Sequence, residues 1–355
     1  MIRPLALALP LALAAVLLPT AAAYNILVLD AASSAGVAHL RGLRHEVTAK
    51  GPLAPAELRA AIGKYDAVVV ASSTTVDAAA IREGAAGSLK VIGRAGVGLD
   101  NIDCAAAAAA GVAVVTSGAA PLAAASVAEA TLAHALALAR RALGAHRSLA
   151  DGEWRRRDFV GTTLRGKTLG IVGYGRIGSE VAKLGAAFGM TVQTAARPSR
   201  GGGGGGPARA VPMDELIATS DVLALHCPLT DDTRNLIGAA ALRTMRPGAL
   251  LVNMARGGVV DERALLAALE AGDQLGGAAL DVFEREGTVE PHVQALARLP
   301  NVCLSPHTGA STREAAEEVA MGVARAVLDA LDPEPKQASY PFGMAPANAG
   351  SGGGA

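Results

Sequence analysis

The sequence has few aromatic residues, few charged residues and no net charge. Of its 355 residues only 3% are aromatic and 18% are charged, with 32 basic and 32 acidic side chains. The balanced charge, without a basic block, argues against nucleic acid as the main partner. The hydrophobic content of 51% excludes a disordered chain. We therefore expect a globular protein of one large or two medium domains, with cores built mainly from Ala, Val and Leu.

Cysteine is also scarce. The three residues Cys104, Cys227 and Cys303 are far apart and include no C-x-x-C pair. Such an odd and sparse set does not make a disulfide framework, and no metal site is predicted. The cysteines are therefore expected to be small core residues in a reducing or neutral compartment.

The first residues have the layout of a secretory signal. Arg3 precedes an apolar run over residues 5–18, and small residues at 20–23 suit cleavage before Tyr24. The run is short and contains Pro10, so it does not predict a membrane span. We expect residues 1–23 to be a signal or targeting segment, and an uncleaved extension is the alternative.

This signal would send the chain along the secretory route. An organelle lumen, such as that of a plastid, fits the sparse cysteines better than the extracellular space does. Without a signal the chain would be cytoplasmic. The processed chain is not expected to bind a membrane.

The most informative stretch covers residues 168–190. An apolar strand leads into Gly173, Gly175 and Gly178, spaced G-x-G-x-x-G, and an amphipathic helix follows directly. In a dinucleotide-binding turn the first glycine permits the tight turn, the second lets backbone approach the pyrophosphate, and the third allows close helix–strand packing. The helix N-terminus then offers N–H groups to the phosphate. The stretch predicts dinucleotide binding, and a purely structural turn is the alternative.

Strands and helices alternate along most of the chain, which predicts parallel sheets built from βαβ units. We expect an α/β protein with two Rossmann-like, doubly wound domains, the cofactor domain being inserted into the substrate domain. A long helical stretch at 126–150 is expected to lead from one domain to the other. The predicted ranges are a substrate domain at 24–120 and 308–332, a cofactor domain at 121–307 and a disordered tail at 333–355.

Three polar residues follow predicted strands of the cofactor half. Arg256 follows the strand at 249–252, Glu286 lies in the loop after the next strand, and His307 follows the last. Ligands of open α/β sheets bind at the carboxyl ends of the strands. An Arg fork suits a carboxylate, and a His oriented by a carboxylate is a serviceable acid or base near neutral pH. Each residue alone could be a solvated surface group, but three on successive loops indicate hydride transfer with a 2-hydroxy acid.

Seven short motifs follow one another along the chain. They are GRAGVGLDNID at 93–103, SVAE at 126–129, GYGRIG at 173–178, HCPLT at 226–230, MRPG at 245–248, NMARGG at 253–258 and HTGAST at 307–312. In these motifs the chain resembles the D-isomer-specific 2-hydroxyacid dehydrogenases, from about residue 25 to residue 331. The run Gly-Ala-Ser-Thr-x-Glu-Ala at 309–315 is most similar to the phosphoglycerate dehydrogenase branch of that family.

The resemblance implies a role for each residue that matches a family motif. Arg256 would bind the substrate carboxylate, Glu286 would be the partner of the histidine, and His307 would be the general acid/base. It also implies a homodimer formed through the cofactor halves and a small-molecule substrate. Further substrate contacts are implied at Arg94, Gly96, Val97 and Gly98. Cofactor contacts are implied at Gly173, Gly175, Arg176, Ile177, Gly178, Ala196, Arg197, Cys227, Met254, Ala255, Arg256, Asp281, His307 and Gly309.

The chain departs from the family pattern at three positions. Ala196 stands where the family has an acidic residue for the adenosine ribose, and Arg197 follows it. This change favours NADP slightly, with NAD as the alternative. Ala71 replaces an Arg that contacts the substrate phosphate in the phosphoglycerate branch. Gly287 replaces a proline after Glu286, which predicts a less rigid loop.

The resemblance implies oxidation of D-3-phosphoglycerate, a step of serine synthesis. The Ala71 and Ala196 departures leave a glyoxylate or hydroxypyruvate reductase of the same fold as the alternative. A dinucleotide-sensing scaffold without activity is a third interpretation, which the presence of Arg256, Glu286 and His307 together disfavours.

Overall fold

The computed structural model describes residues 23–30, 34–96, 98–195, 206–272 and 274–332. Residues 1–22 of the predicted signal and the predicted tail lie outside them. The chain divides into two compact units. The first comprises Met1–Arg94, Gly98–Val115 and Ala324–Ala355, and the second comprises Ala95–Val97 and Thr116–Val323. The second unit is therefore inserted into the first along the chain.

The first unit is built around a five-stranded sheet. Its helices are α1 (Ser34–Gly42), α2 (Pro55–Ile62), α3 (Ala78–Ala86) and α4 (Cys104–Ala109). Its strands are β1 (Asn25–Val28), β2 (Glu46–Ala49), β3 (Ala67–Val70), β4 (Val91–Arg94) and β5 (Ala113–Thr116). They lie in the order β2-β1-β3-β4-β5, and β1 runs parallel to both β2 and β3. All four residues of β3 are buried, as expected for a central strand of a parallel sheet.

The second unit is built around a seven-stranded sheet. Its strands are β6 (Thr168–Val172), β7 (Thr191–Ala195), β8 (Arg209–Val211), β9 (Val222–Leu225), β10 (Ala249–Asn253), β11 (Leu275–Leu280) and β12 (Val302–Leu304). They lie in the order β12-β11-β10-β9-β6-β7-β8, and their pairings are parallel. The chain order reverses between β6 and β9. In open α/β sheets, ligands bind at such a switch point.

Helices of the second unit pack against both faces of its sheet. The second unit contains α5 (Pro121–Ala139), α6 (Ala142–Ala150), α7 (Arg176–Ala187), α8 (Met213–Thr219), α9 (Ala239–Thr244), α10 (Glu262–Ala271) and α11 (Pro291–Arg298), with a 3₁₀ helix at Arg156–Phe159. The last helix, α12 (Arg313–Leu331), begins in the second unit and ends in the first. Successive residues of β9 alternate between two apolar clusters. Leu223 and Leu225 join the cluster that includes α8 and α10, whereas Val222 and Ala224 join the one that includes α5 and α7. This alternation is the period of two of a strand.

The helical stretch predicted at 126–150 is in fact two helices, because α5 ends at Ala139 and α6 begins at Ala142. The carbonyl of Ala139 accepts a hydrogen bond from the Thr162 N–H (2.8 Å), and Gly161 lies against the same carbonyl with no room for a side chain. Arg141 then adopts a left-handed conformation with φ 52°. A tertiary contact therefore ends a run whose local sequence is helical throughout.

Among the described residues, α5 is long and apolar enough to cross a membrane by length and composition. Its Ala128, Leu132 and Ala135 are buried in the same apolar cluster as Val181 and Ala182 of α7. Such burial is typical of a core helix in an α/β domain.

Candidate active site

Of the residues predicted to bind the cofactor or to react, those that the structure describes lie at one edge of the seven-stranded sheet. The glycine turn follows β6, Cys227 follows β9, Arg256 follows β10, Asp281 follows β11 and His307 follows β12. These five strands are consecutive neighbours, and all run in the same direction. Their carboxyl ends therefore bring together residues that are up to 134 positions apart in sequence, from Gly173 to His307.

The glycine turn has the geometry that a pyrophosphate needs. Gly173 has φ 101° and packs against the backbone of His226, while Gly178 packs against the Gly173 carbonyl with no room for a side chain. Gly175, in contrast, faces open space. It is also the N-cap of α7 and supplies no side-chain cap, so the first N–H groups of this helix remain free for an anion. The residues present therefore fit a dinucleotide.

His226 adds a polar group beside this turn. Burial lowers the pKa of its imidazole to about 4, so the ring is neutral at physiological pH. Neither ring nitrogen has a hydrogen-bond partner among the described residues. Buried polar atoms are nearly always paired in proteins. The two nitrogens therefore make this strand end suited to a polar ligand.

His307 and Glu286 form a direct pair. The His307 Nδ1 lies 2.9 and 2.8 Å from the two carboxylate oxygens of Glu286. This hydrogen bond raises the pKa of His307; partial burial and the Arg256 charge oppose the rise, and the charges of Glu286 and Asp281 add to it. Partial burial acts to raise the pKa of Glu286, but hydrogen bonds from His307 and Phe283 and the charges of His307 and Arg256 outweigh it and lower the pKa. Each member of the pair thus favours the charged form of the other.

Arg256 lies in the turn that follows β10. Its own carbonyl accepts a hydrogen bond from the side chain of Asn253 (3.1 Å), and its Nη1 donates to the carbonyl of Ala255 (2.7 Å). The guanidinium is close enough to affect the pKa of both Glu286 and His307. The loops after β10, β11 and β12 therefore bring together the three residues predicted to be catalytic.

Asp281 holds the turn that carries His307. Its carboxylate is 3% exposed and accepts hydrogen bonds from the Ser305 hydroxyl (2.6 Å) and from the N–H groups of Thr308 and Gly309 (both 2.8 Å). Its backbone carbonyl accepts the His307 N–H (2.7 Å). His307 itself has φ 53°, a left-handed conformation that is uncommon for a side chain other than glycine. Asp281 was predicted only as a cofactor contact, and the structure gives it this second role.

The other residues predicted for the cofactor are distributed along the same edge. Gly309 packs between Met254 and Asp281, leaving little room for a side chain. Arg176 donates from Nη1 to the carbonyl of Gly118 (3.0 Å). Ile177, Cys227 and Ala255 pack in the cores on the two faces of the sheet. Ala196 and Arg197 lie outside the described residues.

The residues predicted to bind substrate are divided between the two units. Arg94 ends β4 and Gly98 lies in the first unit, while Gly96 belongs to the second unit, where its carbonyl accepts a hydrogen bond from the Ser117 hydroxyl (3.2 Å). Val97 lies outside the described residues. Gly287 has φ 86°, which a proline cannot adopt, so the loop after Glu286 takes a path that the family's proline would not permit.

A match between this chain and the model of a known protein family shows the family to which the chain belongs. A model described as "D-isomer specific 2-hydroxyacid dehydrogenase, NAD binding domain" matches residues 132–309, about half of the chain. The chain belongs to the D-isomer-specific 2-hydroxyacid dehydrogenase family. Because the matched part is the NAD-binding domain of that family, the cofactor is a nicotinamide dinucleotide.

Relatives with two different names are similar to the chain. The chain is 42% identical to D-3-phosphoglycerate dehydrogenase of Archaeoglobus fulgidus, over 86% of the chain and 57% of the relative. It is 40% identical to the chloroplastic D-3-phosphoglycerate dehydrogenase 2 of Arabidopsis thaliana, over 89% of the chain and 50% of the relative. The chain thus spans about half the length of these relatives. It is also 40% identical to hydroxypyruvate reductase of Thermotoga maritima, over 78% of the chain and 88% of the relative.

A solved structure that is similar to this chain has the same fold. The crystal structure of the TT0316 protein from Thermus thermophilus is similar with a TM-score of 0.78 at 34% identity. The match covers 86% of this chain and 96% of the other. The expected α/β fold class, with two parallel-sheet domains of the Rossmann type, is confirmed.

The glycine turn yields a first prediction. Gly175→Ala should leave the melting temperature unchanged, because the added methyl group meets nothing, but should weaken NADH and NADPH binding at least tenfold by blocking the pyrophosphate. Gly178→Ala should instead lower the melting temperature. Calorimetric titration and thermal unfolding measure the two effects, and Gly51→Ala, at another open glycine, is the control. Unchanged dinucleotide affinity in Gly175→Ala contradicts the assignment of the turn.

The His307–Glu286 pair yields a second prediction. In Glu286→Gln the hydrogen bond to His307 is weakened, because its acceptor becomes a neutral amide oxygen, and the carboxylate charge is lost, so the imidazole should titrate at lower pH. NMR titration of the ring protons measures this shift, and a His307→Gln spectrum assigns the signal. Glu284→Gln, an exposed carboxylate of the same loop, is the matched control and should leave the titration unchanged.

Proposed function

We propose that the chain is a dehydrogenase that transfers hydride between a nicotinamide dinucleotide and a D-2-hydroxy acid. The substrate pair that we propose is D-3-phosphoglycerate and 3-phosphohydroxypyruvate, a step of serine synthesis. The observation that carries the proposal is the Glu286–His307 pair beside Arg256. In this proposal the second unit is the cofactor domain and the first unit is the substrate domain.

The three residues divide the work of the reaction. A bound nicotinamide dinucleotide supplies or accepts the hydride. In the reductive direction protonated His307 gives its proton from Nε2 to the carbonyl oxygen, and in the oxidative direction neutral His307 takes the hydroxyl proton. Glu286 holds Nδ1 and stabilises the imidazolium. The planar fork of Arg256 binds the substrate carboxylate through two hydrogen bonds.

This division fixes the direction of the pH dependence. Reduction needs the protonated imidazole, so its rate falls as pH rises through the raised pKa of His307. Oxidation needs the neutral imidazole, so its rate rises through the same pKa. The two directions of the reaction therefore share one ionisation and respond to it with opposite sign.

A second candidate is a glyoxylate or hydroxypyruvate reductase, and Ala71 favours it. In the first unit Asp30 accepts hydrogen bonds from the N–H groups of Ala71 (2.9 Å) and Thr74 (3.1 Å), and Asn101 donates to the carbonyls of both. The turn that follows β3 is thus firmly held, and position 71 offers it no cationic side chain. A phosphate would need another donor.

Initial rates decide between the two substrates. With 3-phosphohydroxypyruvate, hydroxypyruvate and glyoxylate, each tested with NADH and NADPH, kcat/KM should be at least tenfold higher for the phosphorylated acid, about 1.4 kcal/mol of transition-state binding. A preference for the unphosphorylated acids establishes the reductase instead. His307→Asn is the control for both: it should lose turnover but keep cofactor affinity, and turnover in that variant contradicts the proposed catalytic role.

NADP is the dinucleotide that the sequence favours slightly. Ala196 removes the carboxylate that would hold the ribose hydroxyls and repel a 2′-phosphate, and Arg197 adds a positive charge next to it. Both residues lie outside the described part of the chain, so this proposal rests on the sequence. The comparison of NADH with NADPH in the same rate measurements tests it.

We also propose that the chain forms a homodimer through the second unit. Near α6 and the 3₁₀ helix that follows it, apolar side chains are unusually exposed: Leu149 by 59%, Trp154 by 83% and Val160 by 74%. Leu149, Trp154 and Phe159 line a shallow groove there. Exposed apolar groups that cluster in this way are typical of an interface. A second copy of the chain is the occupant that we propose.

A charged substitution tests this interface. Trp154→Glu should shift a dimer to a monomer in sedimentation or light scattering, because an unpaired carboxylate is costly to bury. Val289→Glu, at an apolar residue that is also largely exposed (74%) but lies elsewhere in the second unit, should leave the mass unchanged. A monomeric parent chain, or a dimer that tolerates Trp154→Glu, refutes the proposal.

For localisation we propose that the N-terminal segment directs the chain into the secretory route and an organelle lumen. The support is the apolar run with its small-residue cleavage site and the absence of a disulfide framework. One similar phosphoglycerate dehydrogenase, that of Arabidopsis thaliana, is chloroplastic. A plastid is therefore the compartment that we favour.

A further inference from the structure

A buried acid–histidine pair lies behind the candidate site and is not used by the proposed mechanism. Glu262, the first residue of α10, is 2% exposed, and His292, the second residue of α11, is 8% exposed. The His292 Nε2 lies 2.7 Å from Glu262 Oε2. The other carboxylate oxygen, Oε1, accepts the N–H of Glu284 (2.6 Å). One buried carboxylate therefore joins two helices to the loop after β11.

This loop carries Glu286, two residues beyond Glu284. Its path is constrained on one side by Gly257, which packs against the Phe283 carbonyl with no room for a side chain. Gly257 directly follows Arg256, so the turn after β10 and the loop after β11 are in contact here. Beyond Glu286 the chain turns through Gly287 in a left-handed conformation. The Glu284 N–H is thus held just before the point at which the loop bends away.

Stability alone does not explain the pair. Removing an ionised carboxylate from water is costly, and a well-packed apolar pair is often as stable as a buried ionic one. The Nδ1 atom of His292 is also buried and has no partner among the described residues. The arrangement fits the tautomer that carries its proton on Nε2 and donates it to Glu262. The unpaired nitrogen adds a further cost to stability, which suggests that the pair is retained for the position it gives to the loop after β11.

We propose that Glu262, oriented by His292, is a positioning residue that fixes the Glu286 loop and thereby the hydrogen bond between Glu286 and His307. The proposal rests on the catalytic role proposed for that bond. Within the described part of the chain, Glu262 makes no hydrogen bond or ion pair with Glu286 or His307, and it acts through the backbone of Glu284.

The test is an NMR titration of the His307 imidazole in the full chain, which needs no turnover. In Glu262→Ala the loop loses its anchor, Glu286 moves from Nδ1, and His307 should titrate at lower pH than in the parent. Glu262→Gln keeps an oxygen for the Glu284 N–H and should restore a titration close to that of the parent. This rescue separates a positioning role from a general loss of structure.

Leu296→Ala is the matched control. Leu296 lies four residues after His292 on the same helix and is fully buried in the apolar cluster, so its truncation should lower the melting temperature without moving the His307 titration. Equal titrations in Glu262→Ala and the parent overturn the proposal. If Glu262→Ala does not fold, His292→Leu takes its place: it removes the donor to Glu262, and a parent-like titration in the folded variant again overturns the proposal.

Kinetics supply a separate readout. In Glu262→Ala kcat of the keto-acid reduction should fall and its basic limb should move to lower pH, while KM stays within twofold because Arg256 is untouched. If the parent chain shows no turnover at all, the proposed function fails, and the NMR comparison still decides whether Glu262 positions Glu286.

Discussion

The buried carboxylate of Asp281 is the group on which the candidate site depends. An ionised carboxylate at 3% exposure is costly unless it is hydrogen-bonded, and here the Ser305 hydroxyl and two backbone N–H groups bind it. The same bonds hold His307 in a left-handed conformation that costs about 1–3 kcal/mol. The hydrogen bonds that stabilise the buried carboxylate come from residues on both sides of His307. They therefore also stabilise the strained turn that carries His307.

The Glu286–His307 pair is exposed by 41% on each side, so solvent screening keeps its contribution to stability small. The direction in which this contribution changes with pH still follows from the linkage between protonation and folding. The raised pKa of His307 stabilises the fold fully below the ordinary imidazole pKa, and this stabilisation is lost as pH rises through the raised value. The lowered pKa of Glu286 stabilises the fold above the ordinary carboxyl pKa, and this is lost as pH falls through the lowered value. Both contributions are therefore complete between the ordinary carboxyl pKa and the ordinary imidazole pKa, and the pair stabilises the fold most in that range.

The sequence predicts the features of this protein that depend on local pattern. Apolar runs alternating with helices predicted the parallel sheets, and the spacing of Gly173, Gly175 and Gly178 predicted the turn after β6. The edge strands β2 and β8 were not predicted, because their residues are largely polar or half-exposed and form no apolar run. The end of α5 at Ala139 was not predicted for another reason. The Ala139 carbonyl accepts a hydrogen bond from the N–H of Thr162, 23 residues later, and such a distant contact leaves no pattern in the local sequence.

The same distinction separates the groups that we propose to react from the pair that we propose to position them. The sequence could predict the site at Arg256, Glu286 and His307 because each residue follows a buried strand. In a parallel sheet the carboxyl ends of the strands lie at one edge, so residues that follow neighbouring strands lie close together. Glu262 and His292 each lie in the first turn of a helix, where an acidic or polar side chain is ordinarily solvated, and they are 30 positions apart in sequence. Only the packing of α10 against α11 makes them a buried pair. A catalytic hydrogen bond must be held to a fraction of an ångström, and that precision comes from such long-range contacts, which composition and periodicity do not encode.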